Sequence, residues 1–213
     1  MIPYMKKKYK KLDPSKPVIA KKGLVIAYIG DGKGKTSAAM GLAARAAGAG
    51  MNVFILQFVK ARRPKEGEKM ESGEWPISNE IIFFEHSSSH GPIGRIETDQ
   101  VGLGFVGILG DKKERDVHVR EALRGLEMAR QIMLSGKYDV VIFDELLSAL
   151  ELNLIEERDV LELISLKPEM VHMVMTGHEK FSRIVKACDL VTEMKMVKHP
   201  YYKNIIAQRG IDF

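Results

Sequence analysis

The stretch LVIAYIGDGKGKTSAAMGLAARAAGAG, residues 24–50, restricts the fold more than any other part of the 213-residue chain. Its first six residues are a continuous apolar run, partly β-branched, as expected of a strand buried on both faces. Glycines at 30, 32 and 34 follow at once. The alanine-rich residues 36–49 then read as a helix stopped by Gly48 and Gly50. A strand, a glycine loop and a helix in this order build an anion site. The glycines let backbone N–H groups curl inward, and the helix N-terminus adds partial positive charge. Lys33 and Lys35 point to a polyphosphate rather than a dinucleotide, and Thr36 offers a hydroxyl to a magnesium ion. The loop is nonetheless one residue short. The usual phosphate-binding pattern has four residues between its first glycine and Gly-Lys-Thr/Ser. Here three residues separate Gly30 from Gly34, and position 29 is isoleucine. The spacing alone leaves open whether the γ-phosphate is split off or the nucleotide serves another chemistry.

Further apolar runs predict strands at 53–58, 81–84, 138–143, 171–175 and 190–194. Helices are expected at 111–134, 156–166 and 179–187, and long surface loops at 60–80 and 86–112. Alternation of strands and helices implies βαβ units: an α/β, three-layer arrangement of a parallel sheet with helices on both faces. Residues 1–22, polar and lysine-rich, read as a basic N-terminal arm, and 23–213 as one nucleotide-binding domain. The fourth strand ends in Asp144-Glu145. Ligands of such sheets bind beyond the carboxyl ends of the strands, where both the glycine loop and this acid pair fall. An acid there holds magnesium in phosphate-loop proteins; it is also a favoured helix start.

Composition narrows the remaining classes. Net charge is +5, much of it in the arm, and nothing downstream has the regular basic spacing of a nucleic-acid module. No apolar run approaches the ~20 residues that span a bilayer. The single cysteine, Cys188, excludes an internal disulfide, reads as core, and makes a reducing cytoplasm the simplest location. His86 and His90 are four apart, but Ser and Gly-Pro around them argue for a loop rather than a zinc site. There is no GxSxG elbow, Cys-His pair or evident general base, so a reaction with a strong external nucleophile suits the chain best.

Taken together, GDGKGKTSAAMGLAARAAGAG (30–50), LQFVK (56–60), YDVVIFDEL (138–146), VHMVMTG (171–177) and LVTEMKMVKHPYYKNIIAQRGIDF (190–213) resemble the phosphate-loop class of ATP:corrinoid adenosyltransferases. The resemblance runs from about Gly23 to the C-terminus and implies a P-loop NTPase-like (RecA-like) fold. It also implies a reaction in which a Co(I) corrinoid attacks C5′ of ATP and the whole triphosphate leaves. ATP lies in the loop in the reverse sense, for which a shorter loop is physically reasonable. Gly30, Asp31, Gly32, Lys33, Gly34, Lys35, Thr36 and Ser37 look like the triphosphate site, with Lys35 on the leaving group. Thr36, Glu145 and Asp144 look like magnesium contacts. Arg45 matches an arginine near the nucleotide, and Phe105 an aromatic that faces the corrinoid. ATP, Mg2+ and the corrinoid are the implied ligands. A homodimer with the arm over a partner's site, and a reductase supplying Co(I), are the implied partners; nucleic acid and membrane are not. The chain departs from the pattern at Asp31 (usually Asn), Gly107 (Trp), His178 (often Arg) and in residues 61–64, which lack a tryptophan. Retained ATP binding with altered corrinoid affinity is the expectation. The rival readings are an ATPase coupled to a protein or nucleic-acid partner, which would release ADP, and a non-catalytic adenosylcorrinoid carrier.

Overall fold

The computed structural model describes residues 22–60, 79–87, 94–104, 106–107, 111–208 and 210–211. Six strands form one parallel sheet: β1 (Val25–Ile29), β2 (Val53–Gln57), β3 (Ile96–Gln100), β4 (Val140–Asp144), β5 (His172–Thr176) and β6 (Leu190–Glu193). Their order across the sheet is β3-β2-β4-β5-β1-β6, every pair parallel. The helices are α1 (Lys35–Gly48), α2 (Asn79–Ser87), α3 (Arg115–Leu134), α4 (Leu146–Glu151), α5 (Glu157–Leu166) and α6 (Ser182–Ala187).

The two-residue alternation of the strands divides the apolar side chains between two cores. Ile26, Val53, Ile55, Val140, Ile142 and Val174 face α1 and α2. Val25, Ala27, Ile29, Val141, Phe143, Met173 and Met175 face the opposite core, which α3 to α6 complete. Because both faces are covered, β4 is buried at every position, and the central strands show no polar face in sequence. Small residues Ala39, Ala43 and Ala47 on α1 are all buried, which lets the helix lie close to the sheet. Among the described residues, no helix is long and apolar enough to cross a membrane.

Two expectations need correction. Residues 81–84 (IIFF) are not the third strand; they lie in α2. Ile81 and Phe84 are buried three positions apart while Phe83 is 65% exposed, which is helical spacing. A four-residue apolar run carries too little periodicity to separate the two cases. The third strand is β3, IETDQ, within the stretch expected to be loop. It is an edge strand, alternately half-buried and exposed, so its sequence is polar. A further helix, α4, follows Glu145 directly with five of its six residues buried. Residues 1–21 of the basic arm, His90 and the tryptophan-lacking segment 61–64 lie outside the described residues.

Candidate nucleotide site

β1 runs into the glycine loop, and α1 begins at Lys35 with Gly34 in the left-handed region, φ 103°. Gly30 has φ 109°, and a Cβ there would lie 2.3 Å from the Met194 carbonyl oxygen, so both its conformation and its surroundings demand glycine. Two loop N–H groups are committed to the protein: Gly30 N–H donates to His178 O at 2.9 Å and Gly32 N–H to Met194 O at 2.9 Å. Lys35, only 6% exposed, arches back over the loop and donates to the carbonyl oxygens of Gly30 (2.7 Å) and Gly32 (2.9 Å). Burial pulls its pKa down; the charges of Glu145 and Asp31 push back.

Beneath the loop a row of buried polar side chains follows the strand order. Gln100 Nε2 donates to Gln57 Oε1 (2.8 Å), and Gln57 Nε2 donates to Asp144 Oδ2 (3.0 Å). Thr176 Oγ1 donates to Asp144 Oδ1 at 2.7 Å and accepts the Glu145 N–H at 2.8 Å. Thr36 Oγ1 donates to the same Asp144 oxygen at 3.0 Å. These residues sit at the carboxyl ends of β3, β2, β4 and β5, with Thr36 in the first turn of α1. Asp144 is fully buried, and its carboxyl is pushed up to about 6, first by desolvation and then by the adjacent Glu145 charge. Donors on three sides still favour its charged form. Glu145 sits at φ 59°. A non-glycine residue in that region stores strain of order 1 kcal/mol or more. The Thr176 bond to its N–H and a bond from the Ser148 hydroxyl to its carboxylate hold it there.

The loop forms one wall of a cleft of about 920 Å3. Asp31, Gly32, Lys33, Gly34, Lys35, Thr36 and Ser37 all line it, as does Glu145. The opposite wall is the segment after β6, with Lys195, Lys198, His199, Tyr201 and Tyr202; Lys60 and His178 complete the rim. Five lysines against two carboxylates make the cleft strongly cationic. The donor set also fits a divalent cation. Magnesium is commonly held by one or two carboxylates while keeping waters and substrate phosphates; Thr36 and Glu145 line the cleft, and Asp144 lies buried behind them, bonded to the Thr36 hydroxyl.

Not every expected residue gathers here. Arg45 is exposed in the last turn of α1, ten residues from Lys35 and so about 15 Å along the helix, outside the cleft lining. Its charge complements the helix C-terminus. Phe105 lies outside the described residues. Gly107, where the resemblance has tryptophan, adopts φ 70° and donates its N–H to Asp111 at 2.8 Å. Cys188 follows α6, half-buried against the core, and burial pushes its thiol up to about 11. Sequence reasoning missed the roles of Gln57, Gln100 and Thr176. For Gln57 and Thr176 the available signal is a polar residue closing a largely apolar strand, as in VFILQ and HMVMT; Gln100 closes the polar strand IETDQ and carries no such signal.

A parallel α/β sheet with a glycine loop at a helix N-terminus, and an acid pair closing a strand two positions away, defines a phosphate-loop nucleotide-binding protein. β5 lies between the two motif-bearing strands and supplies Thr176 to join them. Residues 21–213 match the family described as ATP:corrinoid adenosyltransferase BtuR/CobO/CobP, and the chain belongs to that family. It is 34% identical to a corrinoid adenosyltransferase of Pseudomonas aeruginosa over 90% of this chain and 84% of that protein. A corrinoid adenosyltransferase of Sinorhizobium is 32% identical, covering 90% and 81%. Corrinoid adenosyltransferase CobA of Salmonella typhimurium is 27% identical, covering 90% and 86%.

Proposed function

We propose that the protein transfers the 5′-deoxyadenosyl group of ATP to the Co(I) centre of a corrinoid, in the formation of adenosylcobalamin. The observation that carries this reading is the meeting, in one cleft, of the shortened phosphate loop and the C-terminal block, in a chain that matches the family over residues 21–213. The cobalt lone pair attacks C5′, the C5′–O bond breaks, and its electrons leave on the triphosphate. Co(I) is strong enough to need no protein base, which agrees with the lack of an evident one in the sequence. The protein's task is to orient the two centres and to stabilise the leaving group.

In this reading Lys35 and Lys33 carry the charge that grows on the triphosphate, at the mouth of the α1 N-terminus. Lys60, Lys195 and Lys198 raise the potential across the same cleft. Thr36, Asp144 and Glu145 hold Mg2+, which when bound draws charge from the phosphate oxygens. The reading extends to a homodimer, a separate reductase that supplies Co(I), and a cytoplasmic setting. Arg45 serves the nucleotide directly only if a partner subunit brings it to a cleft; its exposure at the far end of α1 argues against its own.

The test mixes protein, MgATP and a chemically reduced corrinoid in the dark. A light-sensitive Co–C product with intact triphosphate is expected. ADP and phosphate without the alkyl product would instead establish an ATPase. Lys35→Ala is expected to lower turnover ~100- to 1,000-fold, as removal of one preorganised electrostatic group does. A loss under about threefold would take Lys35 off the leaving group.

A further inference from the structure

The phosphate loop and the segment after β6 approach so closely that only glycine fits between them. A Cβ at Gly32 would lie 2.8 Å from the Lys195 carbonyl carbon, as one at Gly30 would clash with Met194. Met194 N–H donates to Ile29 O at 2.7 Å, and Gly32 N–H to Met194 O at 2.9 Å. The next contact along the chain comes from a side chain: Asp31 Oδ1 accepts the Met196 N–H at 3.2 Å. From there the chain is largely exposed, with Val197 at 95%, and runs on through Lys198, His199 and Tyr201 as the far wall of the cleft.

An acid on a loop built for a polyphosphate repels its ligand. We propose that Asp31 is a positioning residue. By holding Met196, it fixes the 195–201 segment as the second wall of the nucleotide cleft, and it does so against the charge of the phosphates. An asparagine at this position has an oxygen in the same place, so the contact depends on the acceptor and not on the charge. The proposal rests on the nucleotide reading of the cleft.

Two variants separate the effects. Asp31→Asn keeps the acceptor and removes the charge; MgATP should bind about two- to fivefold tighter than to the parent. Asp31→Ala removes both; MgATP should bind about two- to tenfold more weakly than to Asp31→Asn, the range of one net hydrogen bond. Calorimetry with MgATP alone and the full chain reads both. Amide exchange at Met196, without ligand, reads the contact itself: slow in the parent and in Asp31→Asn, two- to tenfold faster in Asp31→Ala. Equal MgATP affinity of the two variants, or unchanged Met196 exchange in Asp31→Ala, overturns the proposal. If the parent binds MgATP yet forms no adenosylcorrinoid, the transferase reading fails and the role of Asp31 stands. If the parent does not bind MgATP, the cleft is no nucleotide site and the proposal falls with it.

Discussion

Replacing Asp144 by asparagine should make the protein more stable and less active. The carboxylate is fully buried, and burial plus the Glu145 charge push it up to about 6 from an ordinary 3.8. At roughly 1.4 kcal/mol per tenfold change in proton affinity, the rise from 3.8 to about 6 means that the charged form weighs on the fold by about 3 kcal/mol. The sign follows from the folded form holding the proton more tightly. The favourable contribution is complete below about pH 4 and is lost as pH rises towards 6, after which the penalty is constant. Asparagine imitates the protonated acid. It keeps an oxygen for Thr176 and Thr36 but turns an N–H2 group towards Gln57, giving back about 1–2 kcal/mol. Asp144→Asn should therefore gain about 1–2 kcal/mol at pH 7.5, or about 2–8 °C in Tm for a chain of this length. Near pH 4.5 the parent's penalty has shrunk to about 1 kcal/mol, so the gain should vanish or reverse. Urea unfolding of both proteins at the two pH values measures this directly. The same difference at both pH values would refute the argument, because it would mean that the buried charge carries no penalty. If Asp144 takes the magnesium role proposed for it, adenosyl transfer should fall at every pH, because a neutral amide is a poor magnesium ligand.

Gly30→Ala and Gly41→Ala should act in opposite directions. The first meets both φ 109° and the Met194 oxygen and should lose about 1–3 kcal/mol in a thermal melt; the second, in the interior of α1 with open space around its Cβ, should gain about 0.5–1 kcal/mol. Asp189 accepts the Val25 N–H at 2.9 Å and pairs with Lys22 at 3.3 Å, and the backbone bond chiefly holds its carboxyl below the usual range. Its stabilisation is present above about pH 4 and disappears as pH falls through the depressed value. Asp189→Asn should thus be less stable than the parent at pH 7 by under about 1 kcal/mol for this half-exposed pair, and melting curves of the two should converge as pH falls through that depressed value.

The sequence by itself determined the strand–loop–helix unit and the acid pair. Both are local: LVIAYI, GDGKGKT and VVIFDE each report on consecutive residues, and period-2 burial or a glycine run is legible without knowing what lies alongside. A parallel sheet followed from alternation. A short apolar run misled at 81–84, where one turn of helix and one short strand look alike, and the polar edge strand at 96–100 carried no apolar run to find. Only the tertiary structure decided that Gln100, Gln57, Asp144 and Thr176, spread over more than 100 positions, share one hydrogen-bonded row. It alone set the 195–202 segment opposite the phosphate loop and left Arg45 exposed in the last turn of α1, outside the lining of this chain's cleft. The physical reason is that side chains at strand ends meet according to strand order, and strand order is fixed by which buried faces pack together, a property of the whole chain and not of any window within it.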